Sequence, residues 1–355
     1  MSKIVHIDLN YFFAQVEILS DPSLKDKPVA IGYDGNRGVL STCTYQARKF
    51  GISSGMPSKE AKRILPSLII IPGNYRKYSQ VSHDFFSFLK ERYPVLMKVS
   101  IDECYIDMSE NLKNMTREEE EDYLRDLQLQ LYKTFSLKCS IGLGDTNFLA
   151  KMASDFRKPL GLTIIHKEDI EEYLFPLDIS KMYGIGKKTA PRLKKMGINT
   201  IGDLYKSRDE DVISSLGSNY SYFIDALEAK SSSYVQTEYD LPKSISAERT
   251  FSSDVSDLEE ILSMAKVICK ECYTQLKRYK GKSKTVMIKY RTIDFLTHSK
   301  RVTKSEFFDS FDSMYQEIET LFEKYTTSLT LRLIGVGYDN VIYDTCFEDE
   351  EIKLF

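Results

Sequence analysis

Three carboxylates stand out as residues that could do chemistry together. Asp8 ends the apolar run Ile4-Val5-His6-Ile7, and Asp102 and Glu103 are adjacent within Ser100-Ile101-Asp102-Glu103. Magnesium takes oxygen ligands, keeps several waters and is commonly held by one or two carboxylates plus substrate phosphates. Three acids could therefore seat two ions around a nucleoside triphosphate. The phase of the flanking apolar residues bears on whether the acids share a site. Before the pair they fall at Val99 and Ile101, and after it at Cys104, Ile106 and Met108, so strand-like alternation changes parity at Asp102-Glu103. A hairpin turn or a bulge does this. Neighbours within one regular strand face opposite sides, whereas a turn lets both acids lean toward a third on an adjacent strand. On this pattern alone, an exposed acidic turn is an equal alternative.

The elements that must position these acids follow from periodicity. Residues 11–76 combine a helix start, the run Pro28-Val29-Ala30-Ile31, a turn at Asp34-Gly35 and a second helical pattern through Tyr45-Gln46-Ala47-Arg48, which reads as a small inserted module. Residues 77–166 give a helix (Tyr78, Val81, Phe85, Leu89), the acid-bearing hairpin and a helix with a capping box at Thr116 and Glu119. A strand at 137–141, a helix after Asp145 and a strand at 163–165 follow. With the first strand these predict an open α+β sheet. Residues 167–230 read as short helices, and Lys230-Ser231-Ser232-Ser233 opens a polar linker. The remainder reads strand 244–251, helix 254–279, strand 285–294, strand near Arg301, helix 309–325, strand 329–338. That order, βαββαβ, predicts a split βαβ, ferredoxin-like unit with both helices on one face and the other face free for a partner.

Composition sets outer limits. The 355 residues, 28% charged and 42% hydrophobic, suit an ordinary globular protein of two or more domains. The start lacks an uninterrupted apolar leader, and no stretch approaches the roughly 18 apolar residues of a spanning helix. The expected location is the cytoplasm, with no membrane partner. Six scattered cysteines argue against a disulfide framework, and Cys269-x-x-Cys272 sits in a helical run with no second pair, so buried thiols are expected there rather than zinc.

The net charge of -3 conceals segregation. Lys270 to Lys304 holds eleven Lys or Arg against two acids, and Lys181 to Gly197 adds six with none. Such local basic surfaces attract phosphates whatever the total charge, although a solvated face is the plainer account of any one run. The middle hairpin of the last unit carries much of the longer run, and with Tyr290 among its strands it predicts a nucleic-acid saddle. In Tyr183-Gly184-Ile185-Gly186-Lys187-Lys188-Thr189, two glycines before a helix expose backbone N–H donors, and Lys187 and Lys188 add charge. The segment resembles a helix-hairpin-helix element. A nucleotide-binding P-loop fails, because the glycine required five residues before Gly186 is Lys181, and before Gly281 it is Leu276.

Several motifs, in order, carry a wider resemblance. Asp8 with Asn10-Tyr11-Phe12-Phe13-Ala14-Gln15-Val16-Glu17, then Ser41-Thr42-Cys43-Thr44-Tyr45-Gln46-Ala47-Arg48-Lys49-Phe50-Gly51, then Ser100-Ile101-Asp102-Glu103, resemble the Y-family translesion DNA polymerases, and within them the polymerase IV branch. Phe148-Leu149-Ala150-Lys151-Met152-Ala153-Ser154-Asp155, Lys158-Pro159, Gly184-Ile185-Gly186 and Lys243-Ser244-Ile245 extend the likeness over nearly the whole chain.

The resemblance implies an α+β, multidomain right-hand polymerase. Its ferredoxin-like palm would be 1–10 and 77–166, small fingers 11–76, a helical thumb with the helix-hairpin-helix 167–230, a linker 231–243, a βαββαβ little finger 244–342 and a tail 343–355. It further implies that Asp8, Asp102 and Glu103, with the carbonyl of Leu9, hold two Mg2+ ions, with Mn2+ as a possible substitute. Phe12, Phe13, Thr42, Tyr45, Arg48 and Lys158 would contact the deoxynucleoside triphosphate, Phe13 being the steric gate against a ribose 2′-hydroxyl. Primer-template DNA would meet Gly184, Gly186, Lys187 and Lys188 in the thumb and Ser244, Lys289, Arg291 and Arg301 in the little finger. The chain end resembles a divergent sliding-clamp peptide, with Ile352, Leu354 and Phe355 as anchors, and the protein would act as a monomer. Three departures from the family pattern are Asn10 where many relatives have an acid, Cys104 for the common alanine, and Leu160 for the usual asparagine. Of the rival readings, a nucleotidyl cyclase predicts neither the basic saddle nor the helix-hairpin-helix, and a non-catalytic DNA-binding scaffold would tolerate loss of an acid.

Overall fold

A computed structural model describes residues 2–237 and 241–343, which form two compact units parting within residues 238–240. The first unit holds β1 (Ile4–Leu9), β2 (Val29–Gly32), β3 (Leu40–Cys43), β4 (Ile69–Ile71), β5 (Leu96–Lys98), β6 (Glu103–Asp107), β7 (Cys139–Gly144) and β8 (Leu162–Ile165). Five of these make one sheet in the order β5-β6-β1-β7-β8. Taken along the chain as a βαββαβ unit, strands β1, β5, β6 and β7 lie in the ferredoxin-like order, and β8 adds itself in parallel beside β7. Strand β1 is central and buried at every position, as its Ile-Val-His-Ile sequence requires.

The two faces of this sheet differ. Val5, Ile7, Cys104, Ile106 and Ile141 pack with Tyr78, Phe85 and Leu89 of helix Tyr75–Arg92 and with Leu124, Leu127 and Leu131 of helix Arg117–Phe135. Fully burying each such side chain contributes about 1.5–3 kcal/mol. The capping box anticipated at Thr116 and Glu119 starts the second of these helices. The opposite face takes helix Asn147–Phe156, which lies directly on β7. Glycine makes that approach possible: a Cβ at Gly142 would stand 2.2 Å from both the Ala150 carbonyl oxygen and the Ser154 amide nitrogen. The helix therefore sits deep enough to bring Lys151 over β1.

Strands β3, β2 and β4 form a separate small sheet with its own core of Ala30, Leu40, Cys43, Ala47, Ile52, Ala61 and Leu68. Beyond β8 come short helices, among them Thr189–Lys195, Ile201–Lys206, Glu210–Leu216 and Ser218–Leu227, gathered on a core shared with Phe148, Leu149 and Met152. The segment read as opening a polar linker is tied down at its start. The Ser232 carbonyl accepts from the Asn147 amide at 3.0 Å, and Val235 is buried with Ile4, Tyr105 and Ala150.

The second unit contains β9 (Ile245–Val255), β10 (Gly281–Lys282), β11 (Thr285–Thr292), β12 (Thr297–Thr303), β13 (Leu331–Asp339) and β14 (Ile342–Tyr343), with helices Leu258–Arg278 and Phe311–Thr326. The βαββαβ chain order stands, both helices pack on one face, and pairing is antiparallel throughout. The sheet order, however, is β12-β11-β13-β9, which departs from the ferredoxin-like arrangement expected here. Polarity explains the difference. Thr297-His298-Ser299-Lys300-Arg301 is largely exposed and suits an edge, whereas β13 is buried at most positions and takes the interior place beside β9. Among the described residues, no helix is long and apolar enough to cross a membrane.

Candidate active site

The parity change at Asp102-Glu103 is a hairpin turn. The amides of Val99 and Ser100 both donate to the Glu103 carbonyl, at 2.9 and 3.3 Å, and β6 begins at Glu103. In the β1–β6 register Asp8 is the direct partner of Glu103, so both carboxylates leave the sheet on one face as neighbours. Asp102 sits in the turn, where its Oδ1 accepts from Ser100 Oγ at 2.6 Å, and its carbonyl accepts from the Leu9 amide. All three acids line one cavity of about 260 Å3, and the alternative of an exposed acidic turn falls. Leu9, Phe12, Phe13, Thr42, Tyr45, Arg48 and Lys158 line it too, together with Asn10, Tyr11, Ser41 and Ser54.

Two ammonium groups hold these carboxylates. Lys158 Nζ lies 2.6 Å from Asp8 Oδ2 and 2.7 Å from Asp155 Oδ1, and Lys151 Nζ lies 3.2 Å from Asp8 Oδ2 and 3.0 Å from Glu103 Oε1. Burial pushes Asp8 up to about 7 against the pull of Lys158 and Lys151, with Glu103 adding to the rise. Burial also acts upward on Glu103, but the neighbouring His6 and Asp8 side chains and the charge of Lys151 outweigh it and hold Glu103 below the usual carboxylate range. Of the pair, Asp8 is thus the carboxyl raised and Glu103 the one lowered. Asp102 is raised, chiefly by burial, with Glu103 adding to it. Beneath the pair lies His6, fully buried, with Nδ1 2.8 Å from Ser154 Oγ and Nε2 3.5 Å from Glu103 Oε2; burial lowers its pKa and favours the neutral ring.

The donors suit a hard divalent cation, being carboxylate oxygens on one wall of an open cavity. Among the described residues, no three acidic, imidazole or thiol groups are already gathered for ligation, because Lys151 and Lys158 engage Asp8 and Glu103 while Asp102 turns to Ser100. The fit is one of donor chemistry, and an ion must share the carboxylates with two lysines.

The other walls are equally specific. Arg48 is steered by its Nε hydrogen bond to the Cys43 carbonyl at 3.2 Å and by the Tyr45 ring 5.0 Å beneath its guanidinium. Tyr45 in turn meets Tyr11 edge-on at 5.3 Å. Thr42 is half-buried on β3. Phe13 is half-buried at the cavity edge, while Phe12, although it borders the cavity, is 2% exposed and packs mainly in the core. Asn10 fastens the loop bearing Lys158: its Oδ1 accepts from the Leu160 amide and its Nδ2 donates to Ser140 Oγ, both at 2.9 Å. Leu160 has φ 58, a conformation asparagine tolerates better than leucine, which accounts for the residue usual at that place. Cys104 is fully buried opposite Ile7, and burial pushes its thiol up, so it packs as an inert group.

His6, Lys151 and Asn10 were not assigned from sequence. His6 had a signal, since it stands two residues before Asp8 on a strand and must share its face. Lys151 had only its place one helical turn before Asp155, its contact with Asp8 spanning 143 residues.

In the first unit, the basic turn before helix Thr189–Lys195 contributes no residue to the cavity lining. Gly184 has φ 91 in a turn closed by Ile185 N–H to the Met182 carbonyl, and Gly184, Gly186, Lys187 and Lys188 are all exposed before helix Thr189–Lys195. In the second unit Lys289 and Arg291 share the open face of the sheet with Arg301, which pairs with Met287, and Ser244 is exposed just before β9. Tyr290 does not belong to that face. It is 5% exposed, stacks on His298 and packs toward the helices, as alternation with Lys289 and Arg291 dictates. Cys269 and Cys272 are buried thiols, as expected, with Cys269 Sγ 3.1 Å from Tyr338 Oη. Ile352, Leu354 and Phe355 lie outside the described residues.

Comparison with known proteins agrees along the chain. The impB/mucB/samB family matches residues 7–155, the C-terminal domain of that family residues 242–350, and the IMS family HHH motif residues 167–198. DNA polymerase IV of Listeria welshimeri is 36% identical over 341 residues, covering 96% of this chain and 95% of that protein. DNA polymerase IV of Lactococcus lactis subsp. cremoris is 36% identical over 340 residues, covering 94% and 93%. Of solved structures, the Y-family DNA polymerase chimera Dbh-Dpo4(243-245)-Dbh matches with a TM-score of 0.85 at 27% identity, over 96% of this chain and 100% of that one. The insertion ternary complex of Dbh DNA polymerase matches with a TM-score of 0.64 at 25% identity, again over 96% and 100%.

Proposed function

Because the chain belongs to the impB/mucB/samB family of Y-family DNA polymerases, we infer that it is a template-directed DNA polymerase performing low-fidelity translesion synthesis at damaged DNA, without proofreading. The observation that carries this is the meeting of Asp8, Asp102 and Glu103 on one wall of a cavity whose other walls bear Phe13, Tyr45, Arg48 and Lys158. Catalysis depends on a divalent metal. Magnesium is the ion proposed, with manganese as a substitute, and Asp8, Asp102, Glu103 and the Leu9 carbonyl are the proposed ligands. When bound, two such ions lower the pKa of the primer 3′-hydroxyl and neutralise charge on the departing pyrophosphate.

The chain's own groups bind and orient. Arg48 offers the triphosphate bidentate donors and Lys158 a point charge, while Tyr45 supplies a hydroxyl and holds Arg48. Lys151 and His6 keep Asp8 and Glu103 from swinging apart, and Asn10 presents the loop that carries Lys158. Thr42 lies against the incoming base, Phe12 supports the chain beside Phe13, and Phe13 excludes a ribose 2′-hydroxyl. Primer-template DNA is gripped through its backbone by the turn at Gly184, Gly186, Lys187 and Lys188 and by Ser244, Lys289, Arg291 and Arg301. The chain works as a monomer in the cytoplasm, and Ile352, Leu354 and Phe355 anchor it to a sliding clamp.

Extension of a labelled primer with magnesium and each deoxynucleoside triphosphate in turn tests the reading. The expected result is addition dictated by the template base and abolished by a chelator. Addition independent of the template, or none despite primer-template binding, would overturn it.

A further inference from the structure

Phe13 is boxed in by other rings. It stacks on Tyr78, with centroids 4.5 Å and planes 14° apart, while Tyr75 stands nearly perpendicular to both at 5.6 Å from Phe13 and 5.8 Å from Tyr78. Those nearly equal distances put Tyr75 beside the stacked pair, across its rim. Retreat of Phe13 from the cavity is thus blocked behind by Tyr78 and sideways by Tyr75.

Each blocking ring is itself tethered. Tyr78 is fully buried, and its hydroxyl donates to Glu17 Oε1 at 2.7 Å, with Lys77 Nζ 2.8 Å from the other oxygen. Tyr75 is 56% exposed, and its hydroxyl lies 3.2 Å from Ser41 Oγ on β3. The Tyr75 hydroxyl therefore links the start of helix Tyr75–Arg92 to the small sheet that bears Thr42. A phenylalanine alone yields easily, because small side-chain rotations cost little. One held on two sides and tied through a tyrosine to the opposite wall yields much less.

We propose that Tyr75 sets the strength of sugar selection, acting as a positioning residue that keeps Phe13 from giving way to a ribose 2′-hydroxyl. This rests on the role proposed for Phe13. Tyr75 is not among the residues lining the cavity, so its influence passes through Phe13 and through the Ser41 link.

The test is single-nucleotide insertion opposite template guanine by the full chain, comparing cytidine and deoxycytidine triphosphates for Tyr75→Ala, Tyr75→Phe, Phe13→Val and the double variant Phe13→Val/Tyr75→Ala. Loss of the edge-on pair with Phe13 predicts that Tyr75→Ala raises the ribo-to-deoxy efficiency ratio about five- to tenfold. Tyr75→Phe, which loses only the hydrogen bond to Ser41, raises it about two- to threefold. In the Phe13→Val background Tyr75→Ala adds nothing, because the gate it steadies is gone. An unchanged ratio in Tyr75→Ala beside a raised one in Phe13→Val would overturn the inference and leave the gate intact. A parallel fall for both sugars, or additive effects in the double variant, would also overturn it. An unchanged ratio in Phe13→Val would remove the gate and the inference together.

Discussion

Replacing Asn10 by leucine should cost either stability or nucleotide affinity, and the structure says how much of each. Asn10 is 1% exposed, and its amide joins the Leu160 N–H to Ser140 Oγ through two hydrogen bonds of 2.9 Å. Leucine fills similar space and offers neither partner. If the loop stays in place, the buried Ser140 hydroxyl loses its partner at about 1–3 kcal/mol and the part-buried Leu160 N–H, which water can reach, loses a bond worth about 1 kcal/mol, so the fold loses about 2–4 kcal/mol. If the loop moves out to water, that loss shrinks, but Lys158, two residues before Leu160, leaves its place 2.6 Å from Asp8. A lost charge-assisted contact of about 1.5–3 kcal/mol then weakens triphosphate binding about ten- to hundredfold. Urea denaturation and the Kd for the correct deoxynucleoside triphosphate in single-turnover insertion report the two costs. Asn10→Asp keeps an acceptor for Leu160, with the Ser140 hydroxyl able to donate to it, so both values should stay near those of the unaltered protein. Unchanged stability together with unchanged Kd in Asn10→Leu would refute the reasoning.

Other perturbations follow from the same geometry. Lys158→Ala should raise the triphosphate Kd about tenfold or more in single-turnover titrations, with DNA affinity preserved; an unchanged Kd would remove Lys158 from the phosphate contacts. Burial raises Asp8 to about 7, so below that pH a divalent ion must displace a proton from it. Mn2+ affinity by paramagnetic resonance should therefore rise about tenfold per pH unit up to about pH 7 and level off above; a flat profile would contradict the raised Asp8. Replacing Lys289, Arg291 and Arg301 together by alanine should weaken binding to unrelated DNA sequences alike and reduce the salt slope by about 1 per lost phosphate contact. An unchanged slope would place the DNA elsewhere. Leu160→Asn relieves a left-handed φ of 58 and should stabilise the protein by about 1 kcal/mol in urea denaturation; destabilisation would mean that the leucine side chain contributes packing there.

What sequence could and could not tell is clear from individual residues. The turn at Asp102-Glu103 was legible because local alternation records a change of face, and the long helices were legible from their apolar stripes. The order of strands in the second unit was not, since chain order leaves open whether β12 or β13 takes the interior position; the polar composition of β12 was the usable sign. Tyr290 shows a related limit. Alternation separates it from Lys289 and Arg291, but which set faces the helices is decided by packing two helices onto one side. Asp8, Asp102 and Glu103 were legible as candidate metal ligands from residue type and alternation, with their individual roles supplied by the family resemblance, whereas Lys151 and Asn10 act through partners 143 and 150 residues away. No local spacing encodes such contacts.

The account stands on the three carboxylates acting together in nucleotidyl transfer. Single-turnover insertion with magnesium, run beside primer-template binding for the unaltered chain and for Glu103→Gln, tests this most directly. The predicted result is insertion slowed by about a hundred- to a thousandfold, the scale of losing an electrostatic catalytic group, with DNA affinity within about twofold. Insertion at an undiminished rate in Glu103→Gln would contradict it.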